Sequence, residues 1–281
     1  MKLAELRAVC ISTLREHRSA RPEYVTDQII SRKLDISRAE MITKYDNELS
    51  PHACEGIISM VERRLKDEPL SYILGEAEFY GRSFKVGNGC LIPRPETELL
   101  VEAVLDLSPN IVKFADWCTG SGCIGITMLY EVPNSTAYGI DCSADALEWC
   151  RQNVELHGMS ERFTILCEPD PAKCAIELNS LDCIIANPPY IPSREIKTLM
   201  SDVRDYEPHE ALDGGVDGLD TALMILSAAP KFLKRGGYVA METAGKWQID
   251  KLVEIACPQL EFIREIYDYS NIARHVILKY S

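Results

Sequence analysis

The stretch "FADWCTGSGCIGI", residues 114–126, joins an apolar run to a glycine-rich turn and then to a second apolar run. This order predicts a buried strand, a tight turn and the start of a helix. Gly120, Gly122 and Gly125 match the pattern GxGxxG, in which glycines let the backbone approach a ligand closely. The pattern alone fits a dinucleotide site as well as a nucleoside site, so the surrounding chain has to decide between them.

Segments of strand and helix character alternate on the C-terminal side of this turn. We expect helices at "SADALEWCRQNVELHG", "GLDTALMILSAAPKFL" and "KWQIDKLVEIAC". The expected strands are "IVKFADW", "TAYGI", "RFTILC", "LDCIIA", "GYVAME", "FIREIYDY" and "RHVILKY". Alternating βα units predict an α/β fold with a Rossmann-like parallel sheet covered on both faces, and with ligands bound at the carboxyl ends of the strands.

The N-terminal part of the chain has a different pattern. "LAELRAVCISTLREH", "PEYVTDQIISRKL" and "SPHACEGIISMVERRLKDEP" space their apolar residues as helices do, and "FYGRSFKVGNGCLIP" alternates as a short β-hairpin does. A helix with acidic residues in its first turn follows at "RPETELLVEAVLDL". We therefore predict a helical domain at 1–72, a β-hairpin linker at 73–94 and an α/β domain at 95–281.

Composition narrows the class of protein. The 281 residues carry a formal net charge of −13. This charge disfavours direct binding of nucleic acid, because proteins that bind nucleic acid usually have a basic surface. The 11 cysteines are scattered, odd in number and form no CxxC pair, so no metal site is predicted and a reducing cytoplasm is favoured. We expect neither a secretory signal nor a membrane-spanning segment.

Two carboxylates follow neighbouring strands of the predicted sheet. Asp116 stands at the end of the first strand, where its charge suits a cationic amino-acid group. Asp141 ends the second strand, 21 residues after Gly120, which is the spacing at which an acidic residue binds ribose hydroxyls. Asp141 is also suited to cap the helix that starts near Ser143, so both interpretations stay open at this point.

The segment "LDCIIANPPY" ends a later strand with Asn187, Pro188, Pro189 and Tyr190. In isolation NPPY is typical of a turn. At the carboxyl end of a strand it also suits an NH₂ group, because prolines offer carbonyl acceptors without competing N–H donors. The Asn187 oxygen and the Pro188 carbonyl can accept the two hydrogens, while the Tyr190 ring covers the flat face of the group.

An amide nitrogen needs such a site because its lone pair is delocalised. Holding both hydrogens aims the nitrogen at an electrophilic methyl group and favours the less planar transition state. The proton becomes acidic only after alkylation, so no side-chain base is required at the start. The long connection at 191–218 is either a binding loop or an ordinary solvated loop.

Several blocks together resemble one family. "LSYILGEAEFYGRSFKVGNGCLIPRPETELLVE", "DWCTGSGCIGI", "NPPYI" and "YEPHEALDGGVDGLD" look like the bacterial peptide chain release factor glutamine methyltransferases over residues 70–245. The resemblance implies a seven-stranded class I methyltransferase domain that uses S-adenosylmethionine. It also implies a substrate, the glutamine of the Gly-Gly-Gln loop of translation release factors, with the helical domain helping to dock that factor.

The resemblance also implies roles for individual residues. The glycine-rich turn lines the cofactor, Asp141 binds ribose, and Asn187 lies beside the cofactor. Asn187, Pro188, Pro189 and Tyr190 hold the glutamine amide, with Asn187, Pro188 and Tyr190 as the catalytic set. The cofactor-lining residues in the turn are Cys118, Thr119, Gly120, Ser121 and Gly122.

The chain departs from the family pattern at two places. Cys118 stands where members often have glycine. Members also commonly have an acid followed by an aromatic or large apolar residue after the third strand, beside the adenine. This chain has "CEPDPAKC" there, so Asp170 or Glu168 is expected to replace that acid.

Three other functions remain open on the sequence alone. A sister family methylates a glutamine of a ribosomal protein and shares NPPY, but its hairpin exit typically has Pro-Arg-Ser-Pro where this chain has "IPRPETE". NPPY also occurs in DNA adenine methyltransferases, which the acidic charge disfavours. GxGxxG alone is equally compatible with a nicotinamide-dependent oxidoreductase.

Overall fold

The structure is a computed structural model that describes residues 1–107 and 111–281. The chain divides into two compact units. The first consists of Met1–Glu76 together with Ser201–Tyr206, and the second of Ala77–Met200 together with Glu207–Ser281. Most of the connection at 191–218 thus belongs to the second unit.

The first unit is helical, as the apolar spacing predicts. Its helices are α1 (Leu3–Glu16), α2 (Pro22–Leu34), α3 (Arg38–Thr43), α4 (Pro51–Arg64), α5 (Leu70–Leu74) and α9 (Ser201–Arg204). Ser50 caps α4 by accepting a hydrogen bond from the Ala53 N–H, and a proline occupies the first position of that helix. Leu6, Ile29 and Ile57 are completely buried in the core of this unit.

The predicted hairpin is present, but it starts earlier than the glycines suggest. Its strands are β1 (Glu76–Phe79) and β2 (Arg82–Lys85). Tyr80 and Gly81 form the turn, with φ of 51° and 68°, which is the geometry of a tight two-residue hairpin. Gly89 has another reason to be glycine, because a Cβ there would lie 2.8 Å from the Cβ of Asp145.

A seven-stranded sheet forms the centre of the second unit, in the order β5-β4-β3-β6-β7-β9-β8. Its strands are β3 (Lys113–Trp117), β4 (Thr136–Asp141), β5 (Phe163–Cys167), β6 (Leu181–Ala186), β7 (Leu233–Glu242), β8 (Leu260–Tyr267) and β9 (Ala273–Tyr280). The helices that cover it are α6 (Pro95–Leu107), α7 (Cys123–Glu131), α8 (Ala144–Leu156), α10 (Asp220–Phe232) and α11 (Lys246–Ile255). The predicted fold class, a seven-stranded Rossmann-like sheet with a small helical N-terminal part, is confirmed.

The predicted parallel sheet has one antiparallel edge. The strands from β5 to β7 pair in parallel, whereas β9 pairs antiparallel with both β7 and β8. Only five residues separate β8 from β9, and a parallel pair needs a crossover of about a dozen residues or more. The absence of a helical segment between "FIREIYDY" and "RHVILKY" is therefore the sequence signal for the reversal.

The central strands β3 and β6 are buried on both faces, which explains why they are mainly apolar. Ile184 packs in the core on one face and Ile185 in the core on the other, because successive side chains of a strand point to opposite faces. Among the helices that the structure describes, none combines the length and the apolar character needed to cross a bilayer.

Candidate active site

The glycine-rich turn lies at the point where strand order reverses, between β3 and β6. In the sheet register, Trp117 is level with Ile140 of β4 and with Ala186 of β6, so three strands end together. Residues that follow these strands therefore meet at one edge, the usual place for a ligand in an open α/β sheet.

The turn itself needs backbone in the left-handed region. Cys118, Gly120 and Gly122 have φ of 60°, 54° and 81°, and α7 begins immediately afterwards. For a residue with a side chain this conformation costs about 1–3 kcal/mol, so Cys118 carries strain that a glycine would avoid. A Cβ added at Gly120 would meet nothing within 4 Å, which leaves the backbone there open to a ligand.

Asp116 lies under the turn and is completely buried. Its Oδ2 accepts hydrogen bonds from Thr119 Oγ1 at 2.6 Å and from the Gly125 N–H at 2.9 Å. Its Oδ1 is buried without a hydrogen-bond partner in the described part of the chain. Burial raises the pKa of Asp116 to about 7, against the opposing effect of those two hydrogen bonds. Asp116 thus stabilises the turn through these two hydrogen bonds.

Replacing Asp116 with asparagine is expected to flatten the dependence of stability on pH. Because the folded-state pKa is raised, the carboxyl group's contribution to stability is present below its usual pKa and is lost as pH rises through about 7. The wild-type free energy of unfolding should therefore fall relative to that of Asp116→Asn, by up to about 1 kcal/mol per pH unit between roughly pH 4 and 7. Urea titrations across this range measure the difference, and parallel profiles would contradict the assignment.

Asp141 connects the turn to the start of α8. Its Oδ2 accepts from the Gly120 N–H at 2.9 Å, and its Oδ1 accepts from the Ser143 N–H at 3.0 Å. Ser143 itself caps α8 by accepting from the Ala146 N–H, so Asp141 is not the cap of that helix. Burial raises the pKa of Asp141, although the hydrogen bonds from backbone N–H groups act in the opposite direction.

The NPPY segment leaves β6 with each polar side chain held. Asn187 Nδ2 donates to Thr97 Oγ1 at 3.2 Å, and the Tyr190 hydroxyl donates to Glu242 Oε1 at 3.2 Å. The Tyr190 carbonyl accepts from Gln248 Nε2 at 2.9 Å, and a Cβ at Gly218 would lie 2.2 Å from that carbonyl oxygen. The segment is therefore a fixed structure rather than a loose turn.

A cavity that is open to solvent lies at this edge of the sheet. The predicted site residues in its lining are Cys118, Thr119, Gly120, Ser121, Asp141, Asn187 and Pro189. Asp116, Gly122, Pro188 and Tyr190 lie outside the lining, although each directly adjoins a lining residue in the chain or bonds to one. The turn and the NPPY segment thus share one cavity.

Asp170 does not line this cavity. Its Oδ1 accepts from the Ala172 N–H at 3.0 Å, and its Oδ2 lies 3.0 Å from Lys173 Nζ, so it caps a short 3₁₀ turn at Pro171–Lys173. Glu168, the other acid considered for the adenine, accepts from the Asp170 N–H and also lies outside the lining.

Several polar residues of the site are absent from the sequence-based set. Thr97 and Arg94 line the cavity, and Glu242 and Glu207 are buried beside it. Glu207 accepts from the Ile92 N–H at 3.0 Å and pairs with the Arg94 guanidinium, which connects "IPRPETE" to "YEPHEALDGG". In the sequence, the contact between "IPRPETE" and "YEPHEALDGG" is signalled only by the polar residues that cluster within each of these two segments.

Curated proteins similar to this chain carry a common description. A protein from Thermodesulfovibrio yellowstonii, named release factor glutamine methyltransferase, is 37% identical over 260 residues, covering 90% of this chain and 91% of the relative. The chain belongs to the release factor glutamine methyltransferase family. A relative of the same name from Geobacter sulfurreducens is 38% identical over 221 residues, covering 77% of this chain and 75% of its own length.

The family models agree with this membership, and a solved structure has a similar fold. Residues 5–75 match the PrmC N-terminal domain, and residues 95–203 match the methyltransferase small domain. The hMettl16 catalytic domain has a similar fold, with a TM-score of 0.57, 13% identity, and 83% of each chain covered. The predicted enzyme class, a methyltransferase dependent on S-adenosylmethionine, is confirmed, and the oxidoreductase alternative is set aside.

Proposed function

We propose that this protein transfers a methyl group from S-adenosylmethionine to the side-chain amide nitrogen of the glutamine in the Gly-Gly-Gln motif of peptide chain release factors. The observation that carries the proposal is the shared cavity, which is lined by the glycine-rich turn, Asp141 and Asn187. The names of the curated relatives support the substrate. On this proposal the enzyme acts in protein methylation linked to translation termination.

The residues of the cavity fit S-adenosylmethionine. The open space over Gly120 leaves room for the ligand beside the backbone, and the Asp141 carboxylate is an acceptor suited to the two hydroxyls of a ribose. Cys118, Thr119 and Ser121 complete that side of the lining, with Asp116 and Gly122 supporting the turn. When bound, S-adenosylmethionine supplies a methyl group on a positively charged sulfur.

The protein's own contribution is to hold the glutamine amide in a reactive orientation. Asn187 Oδ1 and the Pro188 carbonyl accept its two N–H groups, while Pro189 and the Tyr190 ring bound the space for its flat face. Asp170 is not assigned to the adenine, because its carboxylate is committed to the Ala172 N–H and to Lys173. The nitrogen would form a bond to the methyl carbon as the bond from that carbon to sulfur breaks, with its electron pair left on sulfur. The methylated nitrogen would then lose one proton to solvent, so no side-chain base is assigned.

The partner is a protein rather than nucleic acid or a membrane on this proposal. A net charge of −13 supports it, since binding of a nucleic acid backbone draws on clustered lysine and arginine. We further propose that the helical unit, the first of the two, contributes to docking the release factor. All eleven cysteines are free thiols, which supports an enzyme that works in the cytoplasm.

A labelling assay on three candidate substrates tests which of them the protein methylates. The protein is incubated with labelled S-adenosylmethionine and, in separate reactions, with a release factor, a ribosomal large-subunit preparation and an adenine-containing DNA duplex. We expect label on the release factor alone, and a release factor whose motif glutamine is replaced by glutamate should stay unlabelled. Label on the ribosomal preparation, with none on the release factor, would support a ribosomal-protein methyltransferase and contradict the proposal. Label on DNA, with none on the release factor, would support a DNA adenine methyltransferase and also contradict it.

A further inference from the structure

A chain of hydrogen bonds connects Asn187 to a buried carboxylate behind the cavity. Asn187 Nδ2 lies 3.2 Å from Thr97 Oγ1, and Thr97 Oγ1 lies 2.7 Å from Glu242 Oε2. The other oxygen of the same carboxylate, Glu242 Oε1, lies 3.2 Å from the Tyr190 hydroxyl. One buried glutamate therefore holds, directly or through Thr97, two polar side chains of the NPPY segment.

The fold brings these groups together because β7 lies beside β6. Ala186 pairs with Met241, so Glu242 and Asn187 occupy equivalent positions one residue further along neighbouring strands. Thr97 lies in the first turn of α6, and His275 of β9 pairs with Glu242 in the sheet. His275 Nε2 lies 3.6 Å from Glu242 Oε2.

The direction of the chain follows from what each group is able to donate. An ionised carboxylate only accepts, so both Thr97 and Tyr190 donate to Glu242. Burial and the negative charge of Glu242 raise the pKa of Tyr190, which keeps the phenol proton in place for donation. Thr97 has one hydroxyl hydrogen and gives it to Glu242, so its oxygen has only lone pairs left for Asn187.

The orientation of the Asn187 amide is then fixed. Its NH₂ group must face Thr97, because the opposite orientation would place two acceptor oxygens against each other in a buried setting. Its Oδ1 is left for the cavity, which Asn187 lines. Within residues 1–107 and 111–281 no hydrogen-bond donor reaches Oδ1, so the acceptor is available to a ligand.

We propose that Glu242 and Thr97 are positioning residues that set the direction of the Asn187 amide, so that Asn187 Oδ1 accepts a hydrogen from the NH₂ group of the substrate. This inference rests on the proposed function, because it assumes that the group to be methylated is an NH₂ donor. A reversed Asn187 would present its own NH₂ group to that donor, and the substrate nitrogen would lose one of the two acceptors that hold it.

Two substitutions at Thr97 separate the hydroxyl from the shape of the side chain. Thr97→Val keeps the branched shape but removes the hydroxyl, so Asn187 is free to reverse, and kcat for release factor methylation should fall by about 100-fold. Thr97→Ser restores the hydroxyl and should recover most of that loss. The affinity for S-adenosylmethionine should stay within about threefold in both variants, since neither change removes a group proposed to bind it.

Thr127→Val is the matched control. Thr127 is also completely buried in the second unit, but its hydroxyl has no hydrogen-bond partner in the described part of the chain. This variant should keep wild-type kcat. A wild-type kcat in Thr97→Val, or an equal loss in Thr97→Ser, would overturn the inference. Thermal unfolding of each variant identifies any loss that is due to misfolding.

The hydrogen bonds from Asn187 through Thr97 to Glu242 form a relay. Glu242→Gln tests this relay even where one Thr97 variant folds poorly. Thr97 and Tyr190 donate to different oxygens of Glu242, and glutamine replaces one of these oxygens with an NH₂ donor, so both hydrogen bonds cannot persist in this geometry. We expect a loss of kcat of about 100-fold in the wild-type background and a clearly smaller loss in the Thr97→Val background, because the relay is already broken there. Fully additive losses would contradict a shared relay.

The controls also separate this inference from the proposed function. A wild-type protein that leaves the release factor unmethylated would contradict the proposed function. The relay has its own readout in that case, which is the hydrogen exchange of the Asn187 side-chain amide measured by NMR. Exchange should be slow in the wild type and faster in Thr97→Val, and equal exchange in the two proteins would overturn the relay itself.

Discussion

Asn187→Ala is expected to lower kcat for release factor methylation by about 100- to 1000-fold while leaving the binding of S-adenosylmethionine nearly unchanged. The asparagine oxygen is one of two acceptors proposed to hold the substrate NH₂ group. Loss of one preorganised hydrogen-bond partner of a reacting group typically costs a factor of this size in kcat. Initial rates with labelled cofactor, together with calorimetric titration of the cofactor, measure the two quantities separately.

Asn134→Ala provides the matched control for this prediction. Asn134 is exposed in the segment that precedes β4, at the opposite end of the strand from Asp141. It should retain wild-type kcat and cofactor affinity. If Asn187→Ala turned over release factor at the wild-type rate, the amide-holding role of Asn187 would be wrong.

Asp141→Ala is expected to weaken the binding of S-adenosylmethionine by roughly 100-fold or more. A carboxylate that accepts hydrogen bonds from two ribose hydroxyls contributes about 1.5–3 kcal/mol for each bond. The substitution also releases the Gly120 N–H, which Asp141 Oδ2 accepts at 2.9 Å, so the turn loses a support. Cofactor titration by calorimetry measures the combined effect.

Two further variants show whether a loss of cofactor affinity in Asp141→Ala is specific to the Asp141 carboxylate. Asp141→Asn keeps one oxygen and the approximate shape, so its cofactor affinity should lie between those of the wild type and Asp141→Ala. Asp106→Ala removes an aspartate of α6 whose side chain is 74% exposed and lies outside the cavity lining, and it should bind the cofactor as the wild type does. Unchanged affinity in Asp141→Ala would contradict the proposed ribose contact.

The parts of the site that the sequence predicts are those set by local rules. The glycine-rich turn is marked by its glycines, and Asp141 and Asn187 by their positions after apolar strands. Carboxyl ends of neighbouring parallel strands lie at one edge of a sheet, so these residues were expected together, and the structure places them around one cavity.

The missing parts depend on contacts between distant segments. Thr97 and Glu242 are 145 residues apart, and Asn187 and Thr97 are 90 residues apart. In the sequence Thr97 is only a polar residue in the first turn of a helix, and Glu242 only the last residue of a strand. Their pairing becomes visible when β7 is known to lie beside β6.

Asp170 shows a different difficulty, because its sequence pattern is compatible both with a local turn and with a contact to the adenine. An Asp-Pro pair is also the start of a short capped turn, and the structure has Asp170 in that position. The reversal of β9 has a similar origin, since apolar content marks a strand without giving its direction. The length of the connection before it carries that information.

The mass spectrum of a release factor after incubation with the protein and S-adenosylmethionine tests the central claim most directly. We predict that the peptide containing the Gly-Gly-Gln motif gains the mass of one methylene group, that fragmentation locates it on the glutamine side chain, and that Asn187→Ala leaves the peptide unmodified. A motif peptide that keeps its original mass in the presence of active wild-type protein, or a methyl group on any other residue, would contradict the account.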